Sequence, residues 1–94
     1  NNREEVLVEK LLTNALIEAR SCERFRLLSL ELEDDYLRQF YHSFMVSEAG
    51  HYRLFMDLAK IYKDKSYVNN RWNEYLEYEK KILKNLALRG DRMH

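Results

Sequence analysis

The sequence predicts an all-α fold, and three observations carry that prediction. The chain has no proline and only two glycines, Gly50 and Gly90; it is rich in Leu, Glu, Lys, Arg and Ala; and its apolar residues recur three and four positions apart. At 94 residues it forms one folding unit at most. The first helix is expected from about Arg3 to Leu30. The acids Glu31, Glu33, Asp34 and Asp35 mark a turn and suit the N-terminus of a second helix, because negative charge is favoured there. That helix should continue to about Tyr62. Lys63-Asp64-Lys65-Ser66 is expected as a loop with Ser66 as N-cap, followed by a third helix to about Leu88, before Gly90. The chain lacks an initiator Met and starts almost directly inside a helical pattern, so it reads as a fragment with further residues upstream.

Charge narrows the function classes. The 16 basic and 16 acidic residues cancel, so composition makes no global case for nucleic acid or an acidic membrane surface. No apolar run approaches the roughly 18 residues a membrane helix needs, and nothing resembles a signal peptide. The single cysteine, Cys22, rules out an internal disulfide framework and fits a reducing compartment, so the expected location is the cytoplasm.

The chemistry lies in two helical stripes that acids interrupt. On the first helix Leu7, Leu11, Ala15, Glu18, Cys22 and Phe25 share a face. On the second, Leu37, Tyr41, Phe44, Glu48, His51, Phe55, Leu58 and Tyr62 do the same. A buried carboxylate costs several kcal/mol unless it is paired, protonated or metal-bound, so Glu18 and Glu48 call for a common explanation. If the turn centres near Glu33, an antiparallel hairpin sets residues whose numbers sum to about 66 at one height, since each helix rises about 1.5 Å per residue. Glu18 and Glu48 meet that condition, and His51 lies one turn from Glu48 on the same face. Two carboxylates and an imidazole suit iron or manganese better than a thiophilic ion. They form half of the ferritin-like di-metal pattern, in which two helices each give a Glu and two others each give Glu-x-x-His. The other half is expected upstream of Asn1; a second copy of the chain related by two-fold symmetry is the alternative.

Two segments, Leu16-Ile17-Glu18-Ala19-Arg20-Ser21-Cys22-Glu23-Arg24-Phe25 and Ser47-Glu48-Ala49-Gly50-His51-Tyr52, resemble the MiaE-type tRNA hydroxylases, and the resemblance runs from about Leu11 through the third helix. It implies that residues 1–94 are the C-terminal portion of a single ferritin-like di-iron domain. The implied enzyme is a non-haem monooxygenase with two iron ions. It uses O2 and electrons from an external reductase to hydroxylate the isopentenyl group of a 2-methylthio-adenosine beside the anticodon of tRNA. Carried over, Glu18 would be the lone helix carboxylate, Glu48 a bridging carboxylate and His51 a terminal nitrogen ligand. Gly50 stands where the family pattern has Arg, about 200° from the ligand face, so it should spare the metal. The terminal Arg92-Met93-His94 resembles a stretch where the family often has Phe-His-Ser-Gly, and His94 is given no role.

The remaining polar residues have plainer readings. Glu23 is expected in a surface ion pair with Arg20 or Arg26, His42 in solvent, and Cys22, Tyr41 and Tyr52 in packing. Glu79 interrupts the third-helix stripe of Trp72, Tyr75, Ile82 and Leu86, either as support for a metal ligand or on an exposed flank. Lys80, Lys81, Lys84, Arg89 and Arg92 form a basic run that could meet tRNA phosphates or be a solvated face. Two other classes stay open: a ferritin-like iron-binding or storage protein with no RNA substrate, and a non-catalytic helical module that pairs Glu18, Glu48 and His51 with basic residues elsewhere. An exposed apolar face would also allow self-association.

Overall fold

A computed structural model describes residues 2–92, with the side chains of residues 91 and 92 left aside; the expectations for Met93 and His94 lie outside the described residues. Three helices follow one another: α1 (Asn2–Glu31), α2 (Asp35–Tyr62) and α3 (Lys65–Arg92), and the described residues contain no strand. The all-α expectation therefore holds. The chain divides into two compact units, residues 1–63 and 64–94, each described by itself.

The first unit is an antiparallel α1–α2 hairpin. Its turn is closed by local chemistry. The Asp34 side chain caps α2 by accepting from the Leu37 amide at 2.9 Å, satisfying one of the donors a helix start leaves unpaired. Arg38 Nε donates to the Ser29 carbonyl at 3.2 Å, so α2 reaches back to the last turns of α1. The register runs the length of the hairpin as the turn position demands. Phe25 and Tyr41 stack near the turn with ring centroids 5.9 Å apart, and at the far ends Lys63 Nζ lies 3.8 Å from Glu5 Oε1. Phe40 and Phe44 extend this aromatic cluster, Phe44 lying 5.4 Å from Phe25 and 4.8 Å from Phe40.

Burial is rotated slightly from the sequence stripes. On α1 the deepest apolar side chains are Val8, Leu12 and Ala15, while Leu7 and Leu11 are half-buried. On α2 Met56 and Ala59 are buried, whereas Leu37, Phe44 and Tyr62 of the expected stripe are exposed. Val6-Leu7-Val8 and Leu11-Leu12 are apolar in adjacent columns, so periodicity alone leaves the rotation of α1 open by about one residue, or 100°. The hairpin also keeps large apolar side chains in solvent, including Ile17, Leu27, Phe40 and Leu54.

The second unit corrects two expectations. The N-terminus of α3 is capped by Asp64 and not by Ser66: the Asp64 carboxylate accepts from the Tyr67 amide at 2.7 Å and its carbonyl from the Val68 amide at 3.1 Å. Lys65 and Ser66 are already helical, and a carboxylate at this end also complements the helix dipole. Gly90 does not stop α3, which continues to Arg92 without a positive φ at either glycine.

Two stability measurements follow. Asp64→Ala should cost about 1 kcal/mol in urea unfolding and Ser66→Ala close to nothing, the reverse of what a Ser66 cap would give. A Cβ at Gly50 would meet no atom within 4 Å, so Gly50→Ala should stabilise the protein by about 0.5–1 kcal/mol through helix propensity alone.

Candidate metal centre

The hairpin register brings α1 and α2 together at Glu18, Glu48 and His51. His51 Nδ1 lies 3.6 Å from Glu18 Oε2 on the opposite helix and 3.9 Å from Glu48 Oε1 one turn earlier on its own. One donor atom from each of the three residues lies within 4.8 Å of the others, and they form a metal-capable cluster among the described residues. The two carboxylates face inward, with side chains 22% and 19% exposed, while the imidazole sits at the edge with 53% exposed. All three residues singled out in the sequence therefore meet; His51 is more open than a core stripe would place it.

Glu18 tests the fit. Its Oε2 is buried and accepts no hydrogen bond, and His51 Nδ1 is too far away to donate one. An unsatisfied buried acceptor costs about 1–3 kcal/mol, more when charged, and a second carboxylate nearby adds repulsion. Arg20, two residues on and about 200° round the helix, pairs with Glu23 at 2.8 Å, the pair expected from the sequence. A cation among the three donors would remove the cost at Glu18. Oxygen and nitrogen donors that share one first-row ion at about 2 Å lie roughly 3–4 Å apart, close to the spacing seen here. The donor set, two hard oxygens and one imidazole nitrogen, fits iron or manganese.

The other candidates fall outside this cluster. Cys22 is a free, half-buried thiol and is not one of the clustered donors. Tyr41 packs in the aromatic cluster, His42 is exposed, and Gly50 is exposed on the face turned from the ligands. Glu79 is half-buried on α3 and does not join the three donors. The sequence stripes held Phe25 and Phe44 but not Phe40, which completes the aromatic cluster from an exposed position; Phe44 stands one turn before Glu48.

A family model described as tRNA-(MS[2]IO[6]A)-hydroxylase (MiaE) matches residues 1–94. The chain belongs to the MiaE family. Two curated relatives carry the name tRNA 2-(methylsulfanyl)-N(6)-isopentenyladenosine(37) hydroxylase. The one from Pseudomonas putida is 47% identical over 60 residues, 64% of this chain and 29% of that protein. The one from Salmonella typhimurium is 50% identical over 54 residues, 57% of this chain and 20% of that protein. The chain thus spans between a fifth and under a third of the MiaE relatives it matches. No solved structure matches.

If the carboxylates are held for a metal and not for each other, Glu18→Gln should act in opposite directions on two readouts. It should raise the stability of the chelator-treated protein by about 1 kcal/mol, by removing an uncompensated charge. It should also abolish the stabilisation that ferrous ion gives the wild type, about 2.7 kcal/mol at a hundredfold excess over Kd. Urea unfolding with and without Fe(II) measures both.

Proposed function

We propose that Glu18, Glu48 and His51 are metal ligands, half of a di-iron centre in a tRNA-modifying monooxygenase of the MiaE family. The observation that carries this reading is the buried Oε2 of Glu18, without a hydrogen bond and clustered with Glu48 and His51 across the hairpin, in a chain whose whole length matches that family. Three ligands are half of what two iron ions need in this pattern, so the others come from residues outside the 94, and residues 1–94 are the C-terminal portion of a single ferritin-like domain.

In this reading Glu18 would be the lone carboxylate ligand of α1, Glu48 the carboxylate ligand of α2 and His51 the nitrogen ligand. The hairpin register fixes the distance between them. Bound iron supplies the oxidising chemistry: O2, two electrons and two protons convert a substrate C–H to C–OH and water. This chain's residues set the ligand geometry, keep the Glu18 side of the site dry, and leave His51 at an open edge. The substrate is the isopentenyl group of 2-methylthio-N6-isopentenyladenosine in tRNA, and the electrons come from an external reductase. No helix among the described residues is long and apolar enough to cross a membrane, in keeping with a tRNA-modifying role in the cytoplasm.

The test is anaerobic ferrous titration of the full-length protein beside a hydroxylation assay on tRNA that bears the isopentenyl modification. The wild type should bind two irons and form the hydroxylated nucleoside; Glu48→Ala should lose specific iron and at least a hundredfold in turnover. Iron binding without hydroxylation would instead indicate a ferritin-like iron protein, and no specific iron a helical interaction module.

A further inference from the structure

The chain is electrically neutral, with 16 basic and 16 acidic residues, so any attraction for a polyanion must come from charge segregated locally. Helix α3 (Lys65–Arg92) carries such a segregation. Residues 70–79 hold Glu74, Glu77 and Glu79 against one Arg71, whereas residues 80–90 hold Lys80, Lys81, Lys84 and Arg89 and no acid, a net +4 that no other eleven-residue stretch reaches. All four side chains are exposed, and none makes an ion pair among the described residues. Arg71 on the same helix behaves differently: it pairs with Glu74 at 2.6 Å and lies over the Tyr75 ring at 5.0 Å. Glu77 stands three and four residues before Lys80 and Lys81, the right spacing for pairs, yet pairs with neither.

Helix stabilisation does not account for this run. The dipole rewards cations only within the last turn, which includes Arg89 and leaves Lys80, Lys81 and Lys84 two or more turns inside. At 100° per residue the four cations occupy about half the helix circumference, opposite the arc of Tyr75, Glu79, Ile82 and Leu86. They extend about 14 Å along the axis, long enough to face several phosphates of a nucleic-acid strand.

We propose that Lys80, Lys81, Lys84 and Arg89 form a phosphate-binding strip that docks RNA on α3. This rests on the reading of the protein as a tRNA-modifying enzyme, which names RNA as the polyanion. The strip supplies affinity without sequence preference, as flexible ammonium groups on phosphates do, and leaves recognition of the modified base to the metal centre.

The experiment compares the full-length protein with K80Q/K81Q/K84Q/R89Q and with a control, K10Q/R24Q/R26Q/R53Q, that removes the same number of exposed charges elsewhere. Gln has nearly the helix propensity of Lys and Arg, and circular dichroism verifies folding. Binding of unmodified tRNA is measured by fluorescence anisotropy across 50–200 mM salt, and hydroxylation is measured on both modified tRNA and the free modified nucleoside. The strip variant should lower the slope of log K against log salt by about 3, from four lost phosphate contacts, and lose tRNA turnover at sub-saturating tRNA while keeping nucleoside turnover. The control should leave the slope within about 1 of wild type. An unchanged slope in the strip variant, or an equal drop in the control, overturns the proposal and assigns the run to solvent or to a protein partner. Were the wild type to hydroxylate neither substrate, the enzymatic reading would fail, while the two slopes would still decide the strip.

Discussion

A carboxylate oxygen buried without a hydrogen bond sets the terms for this hairpin. Glu18 Oε2 is in that position, with the Glu48 carboxylate across the hairpin and His51 Nδ1 3.6 Å away, beyond hydrogen-bonding reach. Left alone, the arrangement works against the fold. On the proposed reading a cation would recover the cost, and affinity for the metal and strain in the metal-free protein would be two aspects of one charge distribution.

The rest of the hairpin keeps that distribution in register. A three-residue link between α1 and α2, the Asp34 cap and the Arg38–Ser29 bond fix the turn; the stacked Phe25 and Tyr41 carry the alignment inward; Lys63 and Glu5 meet at the other end. Because each residue advances a helix by about 1.5 Å, a slip of one residue at the turn would move Glu18 about 3 Å relative to Glu48 and His51, enough to separate the donors. The turn, remote from the chemistry, therefore decides whether it is possible. Ile17, Leu27, Phe40 and Leu54 remain in solvent on the hairpin, as befits a chain matching only a fraction of the length of its MiaE relatives.

Much of this was legible in the sequence, for identifiable reasons. Acids interrupting apolar stripes marked Glu18 and Glu48, the acidic turn at residues 31–35 fixed the hairpin centre, and from it the pairing of heights followed by arithmetic. What was not legible depended on choices that local pattern leaves degenerate. Lys63-Asp64-Lys65-Ser66 offers two good caps, and the helix took the earlier one. Gly90 can end a helix but is not obliged to, and here it does not. The adjacent apolar columns of α1 left its rotation free by one residue, and the stripe of α2 gave no sign that His51 would lie at the rim. Each miss concerns rotation or termination, which tertiary packing decides, while spacing along the helix was set by covalent geometry and came out as expected.

The central claim is that Glu18 on one helix and Glu48 and His51 on the next are ligands of the same metal centre. The most direct measurement is a crystal structure of the iron-loaded full-length protein, with anomalous diffraction recorded on both sides of the iron edge. The account predicts anomalous density between the helices, within coordination distance of a carboxylate oxygen of Glu18, one of Glu48 and a ring nitrogen of His51. Iron density elsewhere, or Glu18 satisfied by a basic side chain from another part of the protein, would contradict it.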